Sequence, residues 1–243
     1  MTRTRTTSTT DKPRIAGILL DKDGTLLDFD ASWGPVNREV ALMAADGDAS
    51  LADRLLTACG MDPVSGAIVP DSLFAAGNTV EIAEGMIEAG SPFGLETLVP
   101  KIDDCFARAA EFSVPVTELE PLFARLHGKG LRLGIASSDN ERSIRVAAER
   151  FGILPYIDFV AGYDSGHGKK PEAGMVLGFC AATGLSPLEV AVVGDNNHDL
   201  HMGRNAGAGL KVGVLSGTGS RETLTLHSDM VLADITELEA VLA

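Results

Sequence analysis

Four groups of polar residues in this 243-residue chain sit directly behind short apolar runs, and their side chains are those of acid, base and nucleophile chemistry. Asp21 and Asp23 occupy Asp-Lys-Asp-Gly-Thr, and Ser137, Ser138, Asp139 and Asn140 follow a second run. Lys169-Lys170-Pro171 follows a third, and Gly194-Asp195-Asn196-Asn197-His198-Asp199 a fourth. Singly, each has a structural explanation: Ser-Asp-Asn before Glu141 suits a helix N-cap, Lys170-Pro171 a surface turn, and Asp195-Asn196 the end of a strand. Together they describe a site. Gly24, directly after the two aspartates, permits a sharp bend there. Clustered carboxylates repel one another, and a divalent cation that prefers hard oxygen ligands relieves that repulsion. Beside a lysine and a hydroxyl-bearing helix start, such an ion suits a magnesium-bound phosphoryl group.

The elements that must position these residues are legible in the hydropathy. In open parallel sheets, reactive groups gather beyond the carboxyl ends of the strands. The runs Ile15 to Leu20, Leu131 to Ala136, Phe159 to Gly162, Val190 to Val193 and Leu210 to Leu215, with Met230 to Ala233 as a sixth, are short and continuous. That is the pattern of strands buried on both faces. With helical patterns between most of them, they predict an α/β fold, a doubly wound, Rossmann-like parallel sheet. Residues 30–111 contain no comparable run. Val36 to Ala45, Leu51 to Cys59, Thr79 to Ala89 and Ile102 to Glu111 read instead as helices, the third capped by Asn78 with Glu81 three residues on. The expected organisation is a polar tail over residues 1–10, a core built from 11–29 and 112–243, and an inserted helical module over 30–111. Gly34-Pro35 and Val114-Pro115 are read as breakers at its edges, forming a hinge. Trp33, the only tryptophan, is expected to pack at that hinge, with lining of the substrate pocket as the alternative.

Composition narrows the function. Thirty-four Asp and Glu against twenty Lys and Arg give a formal charge of -14, and fourteen of those acids, with only four basic residues, fall in the helical insert. No basic field is available to hold nucleic acid or an anionic membrane surface. No apolar run reaches the length of a membrane span. Cys59, Cys105 and Cys180 lie far apart with no CxxC pair, so neither a disulfide framework nor a zinc site is indicated, and a cytoplasmic location is expected. The glycine-rich stretches at 162–168 and 213–219 match no nucleotide P-loop and are expected to be flexible loops near the active face. His198 and His201, at i, i+3 spacing without a third ligand, are expected on a surface helix.

Asp21-Lys-Asp23-Gly24-Thr25-Leu26, Ser137 behind an apolar strand, Lys170-Pro171 and Gly194-Asp195-Asn-Asn-His-Asp199 resemble, in order, the four motifs of the haloacid dehalogenase superfamily. The helical insert after the first motif resembles that superfamily's small C1 cap, as in phosphoglycolate phosphatase-like members. The resemblance implies a phosphoaspartyl mechanism: Asp21 as nucleophile, Asp23 as general acid and then base, and Ser137 and Lys170 on the phosphoryl oxygens, with Ser138 beside them. It also implies Mg²⁺ held by the Asp21 carboxylate, the Asp23 backbone carbonyl and Asp195, with Asp199 holding a ligand water or orienting Lys170. Lys169 is expected to be solvated. Asp23 argues against dehalogenation, because a departing halide needs no proton. The only lysine of the insert, Lys101, lies late in it, which argues against Schiff-base phosphonate chemistry.

The expectation is therefore a phosphatase acting on a small phosphorylated metabolite. A sugar phosphomutase of the β-phosphoglucomutase kind shares all four motifs, and a non-catalytic phosphate-binding protein on the same fold is a more distant alternative. Phosphoglycolate as substrate would require a cation for its carboxylate from Arg38, Arg54, Lys101 or Arg108.

Overall fold

The first apolar run forms β1 (Gly17–Leu20), buried throughout, at the centre of the sheet in a computed structural model that describes residues 14–242. The expected polar tail lies outside the described residues. The remaining runs form β2 (Arg132–Ala136), β3 (Phe159–Ala161), β4 (Val190–Gly194), β5 (Leu210–Val214) and β6 (Met230–Leu232). The six strands are parallel in the order β3-β2-β1-β4-β5-β6. On one side of β1, Leu20 pairs with Ile135, and on the other with Val193. The chain winds outward from β1 to β3 and then returns to lay β4 on the opposite edge of β1. At this reversal the flanking connections diverge, leaving a crevice at the carboxyl ends of β1 and β4.

Side chains alternate across the sheet, so Ile18 and Leu20 enter one core with Phe123, Ile135 and Val193. Leu19 enters the other with Phe179, Val192 and Met202. Both faces are covered, which is why the strands read as continuous apolar runs. Each fully buried Leu, Ile or Phe contributes about 1.5–3 kcal/mol of transfer free energy. These two cores are what hold the strand ends in register.

The insert forms α1 (Phe29–Ala44), α2 (Ala49–Ala58), α3 (Leu73–Ala76), α4 (Thr79–Glu88) and α5 (Leu95–Ala109) around an apolar core of its own, with Leu55, Met86, Leu98 and Ile102 almost fully buried. The α4 capping box forms as expected: Asn78 accepts from Val80 and Glu81 N–H at 2.9 and 3.1 Å, and Glu81 accepts the Asn78 N–H at 3.1 Å. Two expectations fail. Gly34-Pro35 is no breaker, because α1 begins at Phe29, capped by Asp28, and runs through Pro35; α5 likewise contains Pro100 and begins seven residues before Ile102. Burial of Phe29, Trp33, Val40 and Ala41 on α1, and of Leu98, Ile102 and Phe106 on α5, in the module core outweighs the hydrogen bond each proline removes. The chain enters and leaves the insert as an antiparallel pair, with Asp28 N–H donating to Val114 O at 2.8 Å and Val116 N–H to Leu26 O at 3.0 Å.

The rest of the core adds α6 (Leu119–Gly128), α7 (Glu141–Arg150), α8 (Gly174–Thr183), α9 (Asn197–Ala206), α10 (Arg221–Thr225) and α11 (Leu238–Val241). Asn140 caps α7, accepting from Ser143 N–H at 2.9 Å, so the hydroxyl-bearing turn after β2 does open a helix.

Candidate active site

One cavity between the sheet's carboxyl edge and the helical insert is lined by Asp21, Asp23, Ser137, Ser138, Lys170, Asp195 and Asp199, all seven residues singled out from the sequence. Asp21 lies one residue past the last paired row of β1, its N–H donating to Val193 O at 2.8 Å. Ser137 stands at the corresponding end of β2, Asp195 at the end of β4, and Asp199 in the first turn of α9.

Oxygens of Asp21, Asp195 and Asp199 lie within 4.8 Å of one another, and among the described residues this is the only such group of three metal-binding side chains. Lys170 pairs with Asp21 and, at 2.6 Å, with Asp199. Asp199 also accepts the Asn196 N–H at 3.2 Å, closing the α9 capping box. Asp195 accepts from Thr218 N–H at 2.7 Å and from its hydroxyl at 3.2 Å. Gly24 (φ +81°) and Gly217 crowd the same carboxylate, where an added Cβ would fall 2.5 and 2.0 Å from Asp195 Oδ2. The loop after β5 is thus a wall of the site, with Ser216 donating to Gly24 O at 2.8 Å.

Three buried carboxylates facing one lysine leave an excess of negative charge. Burial pushes the Asp21 carboxyl up to about 6, against the pull of Lys170 and helped by Asp199. Asp195 rises well above the ordinary carboxylate range, first from burial and then from Asp21 and Asp199. These oxygens fit a hard divalent cation in ligand type, spacing and charge. Lys170 stays above the ordinary lysine value despite burial because Asp199 and Asp21 hold its proton.

Asp23 lines the same cavity but has partners of its own. Its carboxylate takes a 2.8 Å hydrogen bond from Trp33 Nε1 and a 2.9 Å ion pair from Lys22, which also pairs with Asp139 at 2.8 Å. Lys22 is 1% exposed, and the two carboxylates raise it against the effect of burial. Burial likewise lifts Asp23 to about 6, Lys22 opposing.

Several other expectations change here. Trp33 lines the cavity and holds Asp23 instead of packing only at a hinge, while also meeting Phe106 edge-on at 4.8 Å between ring centroids. Lys169 is not simply solvated; it reaches Glu81 on α4 at 2.5 Å. His198 and His201 are half-buried, His198 lining the cavity and His201 lying edge-on to His227 at 4.3 Å. Further ties cross between insert and core, Asp103 accepting from Tyr163 at 2.9 Å and from Asn140 at 3.2 Å.

Sequence reasoning missed Lys22, Asn37 and Thr218 as site residues. A lysine wedged between two aspartates behind an apolar strand was a signal for the first. The others come from an insert helix and a glycine-rich loop, with no local pattern.

Residues 15–207 match the haloacid dehalogenase-like hydrolase family. The chain belongs to that family. It is 32% identical over 44% of its length to a phosphoglycolate phosphatase of Chromobacterium violaceum, covering 47% of that protein. It is 25% identical over 80% of its length to an N-acetylmuramic acid 6-phosphate phosphatase of Pseudomonas aeruginosa, covering 79% of it. The chain spans about half the length of the first of these relatives. The fold matches a haloacid dehalogenase-like hydrolase structure from Bacteroides fragilis with a TM-score of 0.72, over 93% of this chain and all of that one, at 18% identity. The chain has no helix among its described residues long and apolar enough to cross a membrane.

Proposed function

We propose that this hydrolase is a Mg²⁺-dependent phosphatase that cleaves a small phosphate monoester through a phosphoaspartyl intermediate on Asp21, with residues 30–111 acting as a cap. The observation that carries the reading is the segregation of two carboxylates from one five-residue motif. Asp21 sits with Lys170 in the acidic triad, while Asp23 sits apart with Lys22 and Trp33.

In the first step an Asp21 carboxylate oxygen bonds to phosphorus as the phosphorus–ester oxygen bond breaks, and Asp23 gives its proton to the departing alkoxide. A carboxyl lifted to about 6 by burial retains a useful protonated fraction near neutrality, and Lys22 and Trp33 hold it in place. In the second step a water oxygen bonds to phosphorus, Asp23 takes the water's proton, and the bond to Asp21 breaks, releasing phosphate. Ser137 and Lys170 bind the phosphoryl oxygens, Lys170 offsetting charge that develops on them. Asp21, Asp195 and Asp199 would hold Mg²⁺, joined by the Asp23 carbonyl as the family resemblance implies; when bound, the ion supplies Lewis-acid charge stabilisation at phosphorus. The bonds from Lys169 to Glu81 and from Tyr163 and Asn140 to Asp103 keep the cap closed and bulk water out.

Phosphate release from a panel of small phosphate esters, with and without Mg²⁺ and beside Asp21→Asn, tests the reading. Release that requires both the ion and Asp21 supports it. Release indifferent to both refutes the mechanism, and conversion of sugar phosphates to isomers without release would mark a mutase.

A further inference from the structure

The described cap residues that line the cavity are uncharged. On α1, Phe29, Trp33 and Asn37 recur every fourth residue, so they share one helix face, and all three line the cavity. Phe74, Ile82 and Phe106 line it from α3, α4 and α5. The four basic residues of residues 30–111 are all engaged elsewhere. Arg38 donates to Pro63 O at 2.7 Å, Arg54 to Ser50 O at 3.2 Å and Arg108 to Glu39 at 2.9 Å, while Lys101 lies over the Phe93 ring at 4.7 Å. Among the insert residues whose side chains are described, no Asp or Glu lines the cavity either.

Within this apolar wall, Asn37 is the exception. It is 2% exposed, and its Nδ2 has no hydrogen-bond partner, although buried side-chain donors are ordinarily satisfied. A buried donor without a partner at the edge of a ligand cavity is a recognition group awaiting an acceptor.

Resting on the phosphatase reading, we infer that the leaving group is an uncharged, largely apolar body carrying one hydrogen-bond acceptor, which takes its bond from Asn37 Nδ2. Phosphoglycolate, whose far end is a carboxylate, fits this wall poorly: its charge would lie among aromatic rings where the nearby ammonium, Lys22 at 5.2 Å from the Trp33 ring centroid, is already paired with Asp23 and Asp139, and burying an unpaired carboxylate is costly.

The test uses isosteric aryl phosphates: acetylphenyl phosphate with a neutral acceptor, ethylphenyl phosphate without one, and carboxyphenyl phosphate with a charge, each as the 3- and 4-isomer. Dissociation constants are read in the Asp21→Asn background with Mg²⁺ from the emission of Trp33, the only tryptophan and a cavity residue. Phosphate release by the unaltered enzyme is measured in parallel. The better acetylphenyl isomer is expected to bind more tightly than its ethyl counterpart, and carboxyphenyl phosphate at least tenfold more weakly than acetylphenyl. Asn37→Leu is expected to reduce the acetyl-to-ethyl affinity ratio about five- to tenfold, the contribution of one neutral hydrogen bond. Asn37→Ala, which removes the donor without adding bulk or charge, covers the case in which the leucine variant does not fold, and should reduce the same ratio by a similar factor. Preference for the carboxylate, an unchanged ratio in these variants, or no binding of any ester overturns the inference. Binding in the expected order without phosphate release by the unaltered enzyme would refute the phosphatase reading alone.

Discussion

Replacing Lys22 with methionine isolates the ion cluster behind Asp23. Its ammonium lies 2.8 Å from Asp139 and 2.9 Å from Asp23 and is almost completely shielded from water. At an effective dielectric near 20, each contact has a gross Coulomb attraction of about 6 kcal/mol, most of it offset by the desolvation of three charges. Methionine fills similar volume, so the loss is electrostatic: two buried carboxylates are left facing each other. Breaking a buried pair in this way costs about 3–5 kcal/mol, a large share of the 5–15 kcal/mol expected for a whole domain. The cost is pH-dependent. Without Lys22 the folded-state Asp23 carboxyl, already lifted to about 6 against the pull of that lysine, holds its proton more tightly than in the unfolded chain, so the variant's stability is retained at acid pH and lost as pH rises through the raised folded pKa. Urea unfolding followed by circular dichroism should therefore show a deficit of about 3–5 kcal/mol at pH 8 that shrinks toward pH 5. Adding Asp139→Asn removes one stranded charge, so the double variant should be less destabilised than the sum of the two single variants by about 2 kcal/mol. A single-variant loss below about 1 kcal/mol, a deficit flat with pH, or strict additivity would refute the reasoning.

The metal-free protein should lose stability as pH rises from about 4 to about 6, because the folded Asp21 carboxyl, lifted to about 6, keeps a proton that the unfolded chain releases near 3.8. Mg²⁺ should raise the melting temperature strongly above pH 6 and little at pH 4.5, and Asp195→Asn should abolish that rise; calorimetry with Mg²⁺ or EDTA checks both. Gly217→Ala would place a Cβ 2.0 Å from Asp195 Oδ2, so the carboxylate must move, and kcat/KM should fall at least a hundredfold while the far-ultraviolet spectrum is unchanged. Trp33→Phe keeps the ring but deletes the 2.8 Å bond to Asp23, a charge-assisted contact of about 1.5–3 kcal/mol. A roughly ten- to hundredfold loss in kcat is expected, with the pH–rate profile displaced upward; an unaltered profile would remove Trp33 from the account.

Much of this protein is written locally. Six apolar runs became six parallel strands, because a strand buried on both faces must be apolar throughout, and that demand is visible without any partner. The Asn78–Glu81 capping box and the Asn140 cap are also local, since donor and acceptor lie three residues apart. The acidic and hydroxyl groups behind the strands were legible for a related reason: a doubly wound sheet brings strand ends to one edge, so position in sequence implies position in space. The first insert helix was not legible in full, because Gly34-Pro35 reads as a stop and only the packing of Phe29 and Trp33 against distant helices overrides it. Trp33 on Asp23, Lys169 on Glu81, Thr218 on Asp195 and Lys22 on Asp139 join residues between 10 and 117 positions apart. No spacing rule reaches across such separations. The sequence by itself determined the strands, the order of the site-bearing loops and the chemical types of the site residues, since these follow from neighbours along the chain. Tertiary structure alone decided which carboxylate faces which cation and brought uncharged described residues of the insert to the cavity, because Coulomb and burial energies depend on distance in space.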